Sequence, residues 1–264
     1  MNGRGTPVTQ TDGPTRAERE RKSYDEDGVW DSSHAWHSRF PHVFKSPNSA
    51  RYDRRFEETI RSHVIGKRAL EIGCGDGLTA QKVSAFGAAY VLGVDVSQDF
   101  IAKARRLEVP GRLEFRCADA LRSVDGSYDV IFGRSILHHI DYKEGLYEVY
   151  SRNLNAGGVM VFMEPLGSNP LIKLYHLLAG SAHTPDEKSF NRKELRWFAD
   201  TFPRIRIYPF NFLSFVAGLG SHLVFDAADN AILRMADVAD EWLACRVPPV
   251  RPYYRHCLIE IDKR

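Results

Sequence analysis

The run Ala69-Leu70-Glu71-Ile72-Gly73-Cys74-Gly75-Asp76-Gly77-Leu78-Thr79 decides the fold. Arg68 to Ile72 reads as a buried strand, because Ala69, Leu70 and Ile72 leave no wide polar face. Glycines at 73, 75 and 77 then force a tight turn and let the backbone come close to a ligand. From Leu78 the spacing becomes helical, with apolar Leu78, Val83 and Phe86 set among Gln81, Lys82 and Ser84. Strand, glycine turn and helix make a ligand crevice at the carboxyl end of a parallel strand, and point to a nucleotide-type cofactor.

Outward from that turn, strands and helices alternate. Tyr90 to Val94 is a second strand ending in Asp95, placed to accept hydrogen bonds from ribose hydroxyls. Ser97 caps a helix running to Arg105, and Arg112–Arg116 and Tyr128–Phe132 give the third and fourth strands. A helix over 143–154, a fifth strand Val159–Met163, a sixth Arg204–Tyr208 and a last Tyr254–Ile261 follow. Apolar helices over 215–225 and 230–245 separate the last two strands, and a helix over 51–64 leads into the first. This order predicts an α/β fold with a doubly wound, mainly parallel sheet. A dinucleotide fingerprint needs Gly-x-Gly-x-x-Gly; Leu78 stands where its last glycine belongs, which argues against a nicotinamide oxidoreductase.

With Glu71 to Gly77 followed by Asp95, the chain resembles the class I S-adenosylmethionine-dependent methyltransferases of the small-molecule type. The resemblance implies a seven-stranded Rossmann-like methyltransferase fold, its last strand inserted antiparallel between the fifth and sixth, and S-adenosyl-L-methionine as cofactor. It places Gly73, Cys74 and Gly75 under the methionine and ribose portions, Asp95 on the ribose and Val96 against the adenine. Asp119 and Ala120 fall at the adenine amino group, and Gly133 at the methionine end. Glu71 falls near the cofactor's amino group, or is a partly buried acid satisfied by backbone donors.

The acceptor side is more diffuse, as expected of a reaction whose main requirement is alignment of two reactants. Residues 1–22 are nearly devoid of apolar side chains and read as a disordered tail. Residues 23–64 read as an N-terminal helical lid and helix, with Trp30 and Trp36 covering the acceptor, and residues 65–264 as the cofactor-binding domain. His138 and His139 follow the fourth strand, where neutral imidazole can take a proton from an acceptor hydroxyl or amine; His139 is the first choice of base. Arg134 is placed to pair with an acidic acceptor. Glu164-Pro165-Leu166, Tyr175-His176 and Thr184-Pro185-Asp186-Glu187 resemble a subgroup of small-molecule methyltransferases, implying an acceptor cap around 165–195 with Glu164, Tyr175 and His176 in contact. An ordinary helical cap is the alternative.

Composition limits the rest. The 264 residues are 43% hydrophobic, enough for one large core, and a net charge of +2 gives no field favouring nucleic acid. Cys74, Cys117, Cys245 and Cys257 show no Cys-x-x-Cys pairing and read as free thiols of a cytoplasmic protein. His34, His37 and His42 lack a carboxylate or thiol at ligand spacing, so no metal is expected. Residues 210–225 are too short and polar to span a bilayer, so no stable membrane insertion is expected. A base-modifying subclass with Asn-Pro-Pro-Tyr after the fourth strand is disfavoured by Gly133-Arg134-Ser135-Ile136. The remaining alternatives are a peripheral membrane enzyme of a lipid-like acceptor and a non-catalytic cofactor-binding partner subunit.

Overall fold

The computed structural model describes residues 14–26, 38, 40–178 and 188–264, the side chains of 175–178 excepted. Seven strands form one sheet: β1 (Arg68–Ile72), β2 (Tyr90–Asp95), β3 (Leu113–Cys117), β4 (Tyr128–Arg134), β5 (Leu154–Pro165), β6 (Ile205–Phe210) and β7 (His256–Asp262). Their order is β3-β2-β1-β4-β5-β7-β6, and β7 runs antiparallel to both neighbours. The sheet and the antiparallel insertion agree with the sequence reading. So do the helices, with ends moved by a few residues.

Alternation along the strands supplies two buried faces. Leu70, Leu92, Ile131 and Phe162 point into one core, with Tyr142, Leu146 and Phe198 from helices on that side. Ala69, Val91, Val130 and Val161 point into the other. There the helix Pro47–Val64 lays down Tyr52, Phe56, Ile60 and Val64, each four residues apart and all buried. Ser46 caps that helix by accepting from the Ser49 N–H.

The tail reading fails from residue 14 onward. Thr15 and Glu18 form a capping box that starts a helix, Arg16–Asp25. Glu20 and Ser23 on this helix are buried although its sequence is strongly polar. It docks through charge and hydrogen bonds, which a hydropathy argument does not detect. The lid residues Trp30 and Trp36, with His34 and His37, lie outside the described residues. Among the described residues, no helix is long and apolar enough to cross a membrane.

Candidate active site

A cavity of about 1210 Å³ opens at the carboxyl ends of β1, β2 and β4. Its floor is the glycine turn, hung from β2: the Gly73 and Cys74 N–H groups donate to Val94 O at 2.8 and 3.0 Å, and Gly75 N–H to Asp95 Oδ2 at 2.9 Å. Gly73 has φ +68°, and a Cβ there would fall 2.3 Å from Ile136 Cγ1. The loop after β4 therefore closes directly over the glycine turn, and only glycine fits between them. A Cβ on Gly75 would instead meet nothing within 4 Å, so this backbone faces open space inside the cavity.

Gly73, Gly75, Asp95, Val96, Asp119 and Ala120 all line the cavity. Asp95 also accepts from the Ser97 N–H at 2.9 Å, so one carboxylate holds the turn and the following helix start. Burial pushes its pKa up, while the backbone donors of Ser97, Gly75 and Val96 pull it down. Asp119 Oδ1 accepts from the Leu121 N–H at 2.9 Å and shapes its own turn.

Three cofactor candidates are not brought to the cavity. Glu71 and Cys74 are buried behind the turn, and burial holds both side chains' pKa values well above their ordinary range. Glu71 Oε2 has no hydrogen-bond partner. Gly133 is packed shut: a Cβ there would lie 2.7 Å from Ile136 Cγ2 and 2.8 Å from Ile72 O. The cavity wall is made by its successors Arg134 and Ser135, the latter at a left-handed φ of 51°.

The histidine pair has an unequal setting. His138 Nδ1 lies 2.7 Å from Glu164 Oε2. Glu164 is fully buried; its other oxygen accepts from the Ile136 and Leu137 N–H groups at 3.0 and 2.9 Å. That corrects the reading of Glu164 as an acceptor contact: its carboxylate is turned back to cap the loop after β4. His139 has Nδ1 at 3.2 Å from Glu20 Oε2 and Nε2 at 3.4 Å from the Tyr24 hydroxyl. Both of its ring nitrogens thus face the N-terminal helix. Arg16 on the same helix donates to His138 O at 2.7 Å and pairs with Asp141 at 3.0 Å. This helix borders the cavity, and it carries Tyr24 against Phe100 with ring centroids 5.8 Å apart.

Arg134 pairs with Asp53 at 2.7 Å, half-exposed at the cavity rim. Tyr175 and His176 belong to the helix Pro170–Leu178, but their side chains lie outside the description, as do residues 179–187. The far end of the cavity is built from residues the sequence reading did not single out: Ser49, Tyr52, Asn211, Phe215, Arg255 and His256. The β6–β7 pairing of Phe210 with His256 brings Asn211, Arg255 and His256 together, and the helix Pro47–Val64 adds Ser49 and Tyr52. Among the described residues no metal-holding cluster occurs, and His42 is engaged by Ser221 Oγ at 2.8 Å and Asp226 O at 3.2 Å.

A family model described as "Methyltransferase domain" matches residues 70–160. A ubiquinone biosynthesis O-methyltransferase of Neisseria meningitidis is 28% identical over 122 residues, which is 44% of this chain and 51% of that protein. Its counterpart in Burkholderia vietnamiensis is 32% identical over 113 residues, 41% of this chain and 48% of that one. The chain thus spans about half the length of the curated relatives it matches. Haemonchus contortus phosphoethanolamine N-methyltransferase 2, solved in complex with S-adenosyl-L-methionine, superposes with a TM-score of 0.61 at 18% identity. That match covers 97% of this chain and 62% of the other, and it extends the fold likeness well beyond the matched domain.

Proposed function

This chain belongs to the class I S-adenosylmethionine-dependent methyltransferases, and on that premise we propose that it methylates a hydroxyl oxygen of a small-molecule acceptor. S-adenosyl-L-methionine would supply an electrophilic methyl on a sulfonium. Its fit is supported by the open face of Gly75, which leaves room for a ligand against the backbone. Asp95, at a strand end and lining the cavity, would hold the ribose, and Val96 and Ala120 would flank the adenine. Asp119 would meet the adenine amino group.

The observation that carries the oxygen assignment is the His138–Glu164 pair. A carboxylate accepting at 2.7 Å from Nδ1–H fixes the tautomer, so the lone pair of the neutral ring sits on Nε2. The ring lines the cavity two residues beyond Ile136, which covers Gly73. His138 would take the acceptor proton there, a step worth about 10²–10⁴-fold in such reactions. Glu164 would hold the ring and offset the imidazolium charge. Most of the acceleration would come from alignment in a closed cavity, which can contribute on the order of 7–11 kcal/mol. The lid helix excludes water and fixes His139 through Glu20 and Tyr24. That fixed setting moves the base role from His139 to His138.

The test is incubation with methyl-labelled cofactor and a fractionated small-molecule extract, followed by mass spectrometry. A labelled methyl ether is expected, formed by wild type and lost in His138→Ala. A product labelled on carbon, or one formed equally by the variant, would refute the assignment of His138 as base.

A further inference from the structure

Asn211 is buried to 2% exposure, stands at a left-handed φ of 62° and lines the cavity. Asparagine tolerates this conformation better than most residues. Its backbone is fixed there, since its carbonyl accepts from the Arg255 N–H at 2.8 Å.

The side-chain amide has one permitted orientation. The single proton of the Ser49 hydroxyl is donated to Val43 O at 2.8 Å. Ser49 Oγ is therefore an acceptor toward Asn211, and takes a proton from its Nδ2 at 2.9 Å. Turning the amide over would set two acceptors against each other. The correct orientation leaves Asn211 Oδ1 buried and without a hydrogen-bond partner. An unsatisfied buried carbonyl oxygen is costly and calls for an explanation.

Phe44, Tyr52, Ile172 and Phe215 line the same cavity with rings and an aliphatic side chain. The Tyr52 hydroxyl is already spent on Cys257 O at 2.8 Å, so Tyr52 offers a ligand carbon surface rather than a donor. We infer that Asn211 is a specificity-determining residue: its Oδ1 accepts a hydrogen bond from a hydroxyl on an apolar, ring-bearing acceptor. The inference rests on the methyl-transfer reading and names the acceptor class for it. A site built around such an oxygen discriminates strongly against an analogue lacking the proton, because the analogue leaves it unpaired.

Phenol and anisole are suitable probes, since anisole carries a methyl group in place of the donor proton. Their binding is measured by ligand-observed NMR on the full chain saturated with S-adenosylhomocysteine. Wild type is expected to bind phenol at least about tenfold tighter than anisole. Asn211→Gly keeps the left-handed backbone and removes the amide; it should bring the ratio to about threefold or less, with S-adenosylhomocysteine affinity unchanged. Should that variant fail to fold, Ser49→Ala, which frees the amide to turn over, should lower the ratio in the same direction. Equal binding of both probes by wild type, or a preference that survives in these variants, overturns the inference. Failure of S-adenosylhomocysteine to bind wild type would instead remove the methyl-transfer reading, so the two failures are separable.

Discussion

Replacing Glu164 by glutamine changes one atom and should disable the site through His138. The Oε1 contacts to the Ile136 and Leu137 N–H groups, at 3.0 and 2.9 Å, survive in an amide. At the Oε2 position an NH₂ would face His138 Nδ1 at 2.7 Å and the His138 N–H at 3.4 Å. Two donors cannot share that place, so Nδ1 must become an acceptor and the ring proton must move to Nε2. Losing charge assistance in about three hydrogen bonds costs about 1 kcal/mol each, or about 2–3 kcal/mol in all. For a chain of this size that lowers Tm by about 4–8 °C. The tautomer change removes the lone pair from Nε2, so kcat should fall by about 10²–10⁴ with cofactor affinity nearly unchanged. The assay combines a thermal melt, ¹⁵N NMR of the histidine ring nitrogens, and turnover of one identified acceptor. Turnover within about threefold of wild type, with the ring proton shown on Nε2, would refute this reasoning.

Three other outcomes are expected. Gly73→Ala places a Cβ at 2.3 Å from Ile136 Cγ1 at a left-handed φ, so it should abolish S-adenosylhomocysteine binding or unfold the chain; calorimetric affinity equal to wild type would contradict the packing. Deleting residues 1–22 removes Arg16 and Glu20 from His138 O and His139, so turnover should drop at least about tenfold, and an unimpaired truncate would reduce the helix to ornament. Glu71 gives a pH signature. Burial raises its pKa in the folded chain above 4.5, so its share of stability is intact below that pH and is lost as pH rises through the folded value. Glu71→Gln removes the effect, so the Tm of the variant minus that of wild type should grow from pH 4.5 toward pH 8; a constant difference would contradict it.

The sheet was legible because its strands are apolar on both faces and its turns are marked by glycine. Ala69 and Leu70, or Val130 and Ile131, enter opposite cores, so these strands read as short continuous apolar runs bounded by turn signals. The cavity-lining residues Gly73, Gly75 and Asp95 were readable for a similar reason: they are adjacent in sequence to a strand end. The N-terminal helix was missed because its buried face is Glu20 and Ser23 rather than a hydrophobic stripe, although the Thr15–Glu18 capping box announced its start. Glu164 was misplaced because the sequence locates it at a strand end without showing which way the carboxylate turns. Asn211, Arg255 and Ser49 were invisible as a group, since strand pairing and helix docking bring together positions far apart in the chain.

Asp95 holds the glycine turn through Gly75 and lines the cavity where a ribose would lie. Calorimetric titration of S-adenosylhomocysteine into wild type and Asp95→Ala is the decisive measurement. Saturable one-to-one binding is predicted for wild type, weakened by about 1.5–3 kcal/mol, or about 10- to 150-fold, in the variant. No binding by wild type, or identical affinity in the two proteins, would contradict it.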